Sequence, residues 1–186
     1  MILERNNALE LLHQHVKNPK MIQHSLASEA VMRKLARHFG EDEAIWAQAG
    51  LLHDIDVEHT QSDPKIHGIT GASWLAEMGL DEGLVDAIGM HNEMATEKVR
   101  STRFQHALAA GETITGLITA TTLVYPDKKL ASVKTKSVVK RMKEKAFAAS
   151  VNRDTIMECE TIDINIEDFT RIAMEAMLEI HDQLEL

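Results

Sequence analysis

The sequence predicts an all-α protein, and three observations carry that prediction. Apolar residues recur at helical spacing in one segment after another, as in amphipathic helices. Three Pro and nine Gly in 186 residues are too few turn residues for an all-β chain. Aromatic residues make up only 4% while Met numbers ten, a composition suited to an aliphatic core packed by helices.

The elements follow in order. Ala8, Leu11, Leu12 and Val16 define a helix from Asn6 to Val16. The Asn18-Pro19 step ends it, because proline pushes the preceding residue out of the α region. A second helix runs from about Met21 to Phe39, with Leu26, Ala30, Leu35 and Phe39 near one face and Gly40 as its stop. Asp42 caps a third, which passes through Ile45, Trp46, Ala49, Leu51 and Leu52 to His53-Asp54. Asp63-Pro64 has the form of an N-cap with proline in the first turn, opening a helix from Lys65 to about Glu77 that Gly79 closes. Asp81 to Asn92 gives a shorter helix, and Thr102 to about Val124 the longest apolar one. Within that one, Thr119 to Tyr125 favours strand by propensity but continues the helical pattern, so it too is expected to be helical. Ser137 to Ala149 and Asp168 to Leu184 are the last long helices, with a shorter one around Asp154 to Cys159. No repeat, low-complexity tract or linker interrupts the chain, and one domain over residues 1–186 is expected.

The net charge of −9 disfavours nucleic acid as a partner. The N-terminal residues have no apolar signal core, and no stretch approaches the roughly 18 apolar residues that cross a bilayer. Lone Cys159 excludes an intramolecular disulfide and suits a reducing compartment. Together these predict a cytoplasmic protein without a membrane partner; a homo-oligomer stays open. Between Asp127 and Lys145 lie seven Lys and one Arg, opposed by Asp127 and Glu144 alone. This is either a solvated helix face or a source of phosphate-binding side chains, of which Lys134, Lys136 and, further on, Arg153 are the candidates.

His53-Asp54 follows an apolar run, Ala44 to Leu52, broken only by Gln48. A histidine and a carboxylate at the end of a buried helix need a partner, because an unpaired interior charge is costly. A divalent cation satisfies both, taking neutral imidazole nitrogen and carboxylate oxygen. The dipeptide alone says little: His181-Asp182 repeats it near the polar C-terminus with no assigned function. The wider constellation says more. His24, His67, His91 and Glu112 each lie on or beside a different expected helix, and helical bundles build metal sites from one inward donor per helix. His13, His15, His38 and His181 fall on polar faces and should be solvated; His59 and His106 flank the site; Asp56 or Glu58 is a candidate for orienting a ligand histidine.

The order of a His, then His-Asp after an apolar helix, then two His and a late acid resembles the HD-domain metal-dependent phosphohydrolases. The matching phrases include Gly50-Leu51-Leu52-His53-Asp54-Ile55-Asp56, Ile66-His67-Gly68-Ile69-Thr70-Gly71-Ala72, Ala87-Ile88-Gly89-Met90-His91-Asn92-Glu93 and Thr115-Gly116-Leu117-Ile118. Lys136 to Lys140, Ala146 to Ala149 and Asn152-Arg153 extend the likeness to a branch of predicted hydrolases, over roughly residues 20 to 180.

The resemblance implies a helical HD-type bundle, with a motif-bearing core over about 20–125 and further helices over about 130–186. It implies His24, His53 and Asp54 as core metal ligands, and His67 and His91 as the additional histidines of two-metal members, where Asp54 bridges. Glu112 stands where the family usually has aspartate. One or two divalent transition ions are implied: Mn, Fe or Zn first, with Co, Ni or Mg also compatible. The reaction implied is hydrolysis of a phosphate mono- or diester, of a nucleotide or another small phosphorylated molecule, by metal-activated water. Asp54, His67 and His91 are its catalytic residues, the histidines either holding the second ion or giving a proton to the leaving oxygen. Two alternatives stand beside it: a di-iron HD-type oxygenase, and a catalytically degenerate ligand-binding or regulatory HD module.

Overall fold

Side-chain caps start six of the ten α-helices in the computed structural model, which describes residues 1–186 and has no strand. Helix α1 spans Arg5–His15 and α2 spans Pro19–Phe39. The Asn18 side chain accepts from the Lys20 N–H, and Pro19 takes the first helical position, where no N–H is required. The Asn18-Pro19 step thus starts α2 as well as ending α1. Gly40, at φ +70, closes α2, and Asp42 caps α3, Glu43–Leu52, through the Ala44 and Ile45 N–H groups.

Two expected helices come out shorter. Residues 65–68 form a turn rather than the first turn of a helix, and α4 covers only Ile69–Glu77. The buried Asp56 carboxylate takes the Gly68 and Gly71 N–H groups at 2.8 Å each, and the chain enters α4 through Gly68 at φ +89. Helix α5, Glu82–Met90, is capped by Asp81; α6, Arg103–Leu123, opens on a reciprocal capping box between Thr102 and Gln105. Helix α7 stops at Thr135–Arg141, short of the expected Ala149. The Arg153 guanidinium claims the carbonyls of Phe147, Ala148 and Val151, and Ala148 sits at φ +44. Helices α8, Arg153–Met157, α9, Ile166–Glu179, and α10, His181–Leu184, complete the chain, with Ile180 breaking what the pattern joins.

One cluster of buried apolar residues runs from Ala8 to Leu184, so the C-terminal helices share a core with those that carry the motifs. No helix is long and apolar enough to cross a membrane.

Helices α2 and α3 meet closely at Gly50, where an added Cβ would lie 2.4 Å from the Ser28 carbonyl oxygen. Because the obstacle is backbone, Gly50→Ala should destabilise the fold by about 3 kcal/mol, the upper part of the overpacking range, in urea unfolding. It should also disturb His53, whose ring bonds the Gly50 carbonyl.

Candidate metal centre

Six side chains from five separate segments converge. His24 comes from the first turns of α2, His53 and Asp54 from the end of α3, His67 from the turn before α4, His91 from the end of α5 and Glu112 from α6. Every residue of α3 from Trp46 to Leu52 is buried, which drives the His53-Asp54 pair into the interior.

The hydrogen bonds behind each ring determine which nitrogen faces inward. His53 donates from Nδ1 to the Gly50 carbonyl at 2.8 Å, and His91 from Nδ1 to the Ile88 carbonyl at 2.6 Å. His67 donates from Nδ1 to Asp56 at 2.7 Å. The Thr115 hydroxyl donates to the Glu112 carbonyl at 2.7 Å, so its oxygen is free to accept from His24 Nδ1 at 3.0 Å. All four Nε2 atoms are therefore the inward atoms, the arrangement expected of histidines oriented from behind to ligate.

They fall into two groups. His24 and His53 bring their Nε2 atoms to 3.1 Å, with Glu112 3.5 Å from His24. His67 and His91 bring theirs to 3.2 Å. Asp54 lies between: one carboxylate oxygen is 3.0 Å from His67 and 3.5 Å from His91, the other 3.4 Å from His53 and 3.6 Å from His24. In each pair two lone pairs face one another unless a cation, proton or metal, stands between them. Donors of one ion with bonds of about 2.0–2.1 Å are themselves about 3.0–3.4 Å apart, so the spacing and the donor set fit transition metal ions.

The electrostatics match. Burial pushes His53 down to about 4, keeping it neutral with a lone pair to offer. Burial also opposes charge on His67, but the hydrogen bonds it donates to Asp54 and Asp56 overcome it and lift this histidine to about 10. Burial raises Asp54, yet His53 and the other histidines around it hold its carboxyl well below the usual range. Against the same burial, Glu112 is lowered by His24 and His24 is raised by Glu112 and Asp54.

Residues 21–125, more than half of the chain and all six converging side chains, match the family model for the HD domain. The chain belongs to the HD-domain family. Comparison with curated proteins and with solved structures returns no match.

Of the two candidate carboxylates for orienting a ligand histidine, Asp56 does so in this HD domain and Glu58 does not. Asp56 is fully buried rather than solvent-exposed, the commoner outcome for such a carboxylate: one oxygen holds His67 and the other holds two backbone N–H groups. Its neighbour Glu58 is exposed and accepts from the Lys17 and Asn18 N–H groups, away from the site. Asn92 donates to the Pro64 and His67 carbonyls and so braces the His67 turn from outside. His13, His15, His38, His59 and His181 are exposed.

Lys134 and Lys136 are exposed on and beside α7, and neither lines the cavity over the six side chains. Arg153 does not line it either, since its guanidinium is spent on backbone carbonyls. The structure brings none of these three to the site.

A network that no motif announced supports His91. Arg100, nearly buried, donates to the Met90 and His91 carbonyls and pairs with Glu158 at 2.5 Å, while His106 reaches the same carboxylate at 2.7 Å. Burial raises Glu158, but Arg100 and His106 more than reverse it, so its folded pKa lies below the usual value. A depressed carboxyl contributes stability that is complete above its unfolded pKa of about 4.3 and is lost as pH falls through the folded value. Glu158→Gln should cost about 3 kcal/mol at pH 7, and the gap from wild type should narrow as unfolding is measured towards pH 3.

Proposed function

We propose that this chain is a metal-dependent phosphoric ester hydrolase with a two-metal centre. The observation that carries the reading is the Asp54 carboxylate, with one oxygen towards His24 and His53 and the other towards His67 and His91. Members of the HD superfamily are mostly metal-dependent phosphohydrolases, which agrees with it. In the proposal His24, His53 and Glu112 hold one ion, His67 and His91 hold the other, and Asp54 serves both. Divalent ions there supply water acidified to near neutrality and neutralise charge developing on a phosphoryl group.

The chain's own residues do the rest. Asp56 and Thr115 keep the His67 and His24 rings turned so that Nε2 faces the cavity. With a single ion bound by the His24 group, His67, held between Asp54 and Asp56, is the side chain placed to give a proton to the leaving oxygen. The test is hydrolysis of p-nitrophenyl phosphate and bis(p-nitrophenyl) phosphate by protein loaded with Mn, Fe or Zn. Turnover with at least one metal, abolished by chelator, is expected; silence with every metal would defeat the hydrolase reading.

A second reading, activation of dioxygen by two irons, draws on the same histidine-rich donor set and on the lack of any lysine or arginine around the cavity. Oxygen consumption by iron-loaded protein separates the two.

A further inference from the structure

The cavity over the centre, about 390 Å³, has an unusual wall. Besides five of the six donors, all but His53, it is lined by Asn92, Thr113, Gly116, Ser150, Asn152 and Thr155, with Val151 as the single apolar side chain. It has no lysine or arginine, and its only aromatic rings are the imidazoles of His24, His67 and His91. Small-molecule sites are usually lined by apolar and aromatic side chains with a few polar groups. Here the proportion is inverted, and each missing residue type excludes a class of substrate. Without a cationic side chain there is nothing to balance a second phosphoryl group, since the ions of the centre serve only the one they hold. Those imidazoles are turned to bring their Nε2 atoms together, so without Phe, Tyr, Trp or a broad apolar face no free surface is left for a nucleobase to stack on. Hydroxyls and amides that donate and accept remain, and these suit a chain of carbinols.

The outer part of this wall comes from residues 150–155, beyond the stretch that matches the HD family model. It is a fixed surface rather than a loose loop. Arg153 ties the carbonyls of Phe147, Ala148 and Val151 together, and Arg141 lies over the Phe147 ring at 4.2 Å. The Asn152 side-chain oxygen is committed to the Asp154 and Thr155 N–H groups, which leaves its amide N–H2 as the group to offer a ligand.

We infer that the cavity selects a monophosphate of a small polyhydroxylated, non-aromatic molecule, a polyol or sugar phosphate, which the Ser150, Asn152 and Thr155 wall recognises through its hydroxyls. This rests on the hydrolase reading above. In the reaction water adds to phosphorus, the P–O ester bond breaks, and the leaving alcohol takes a proton, giving a free polyol and inorganic phosphate.

The test uses manganese-loaded full-length protein and two readouts. Glucitol 6-phosphate, glucitol 1,6-bisphosphate and adenosine 5′-monophosphate are compared by kcat/KM, with p-nitrophenyl phosphate as the generic reference. The phosphonate analogues of the first and last, which resist hydrolysis, are compared by calorimetric binding. Glucitol 6-phosphate and its phosphonate should lead their competitors by about tenfold, a difference of about 1.4 kcal/mol. Ser150→Ala and Asn152→Asp should each weaken the polyol phosphonate by about fivefold, the worth of one hydrogen bond, with unchanged metal per chain. A preference for the nucleotide or the bisphosphate, indifference of both variants, or no binding by either phosphonate would overturn the inference. Loss of p-nitrophenyl phosphate turnover with every metal is a different result: it removes the hydrolase reading, while the binding arm still decides what the wall recognises.

Discussion

Asp54→Ala is expected to strip bound transition metal from both halves of the centre and reduce ester hydrolysis to background. Its carboxylate alone among the six side chains faces both histidine pairs, one oxygen to each. Removing it leaves His67 and His91 as the only donors of their group and takes a ligand and its negative charge from the other, so the loss should exceed the about 10–100-fold that an outer hydrogen bond is worth. His53→Ala is the informative comparison, because His53 belongs to one group only and its loss should spare the ion on His67 and His91. Asp54→Asn, which keeps the shape, controls for folding. Elemental analysis of purified protein reads all three, and unchanged metal in Asp54→Ala would remove the shared carboxylate from the account.

Asp56→Asn should weaken one ion and leave the other. The aspartate satisfies three donors at once: His67 Nδ1 through one oxygen, and the Gly68 and Gly71 N–H groups through the other. An asparagine has one oxygen. If that oxygen keeps the glycine N–H groups, the side-chain N–H2 confronts His67 and forces its Nδ1 to accept. The proton then moves to Nε2 and blocks the ligating atom. If the amide flips, two buried N–H groups lose their acceptor at about 1–3 kcal/mol each. Either way affinity for the ion held by His67 and His91 should fall about 10–100-fold, and a titration that resolves two binding steps should show only one of them shifted.

How far the sequence reveals this depends on how local the determining interaction is. Helices α2, α3, α5 and α6 begin at Asn18, Asp42, Asp81 and Thr102, and each cap acts within two or three residues of itself. Such signals are readable. The turn at 65–68 is not, because Asp63-Pro64 has a helix-opening form while the group that competes for the backbone, Asp56, lies more than ten residues away. The same applies after α7: residues 142–149 favour helix by composition, and Arg153 reaches back to hold them in a turn. The six converging residues could be named because their order resembles a known family. That Asp54 divides its oxygens between two histidine pairs is a fact of geometry that order alone does not contain. Neither is the support from Arg100 and Glu158, which are 58 residues apart and belong to no motif. Which of the two readings of the basic segment applies is likewise not in the order of residues: charge density in sequence says nothing about which side of the bundle it faces, and Lys134 and Lys136 do not line the cavity.

Four histidines and two carboxylates sharing two cations are the central claim, and diffraction from crystals grown with zinc or manganese, recorded at the metal's absorption edge, tests it most directly. Two anomalous peaks per chain are predicted, one at His24, His53 and Glu112 and the other at His67 and His91, with the Asp54 carboxylate reaching both. Crystals that take up metal with no peak at these side chains, or that show His24 turned away from Asp54, would contradict it.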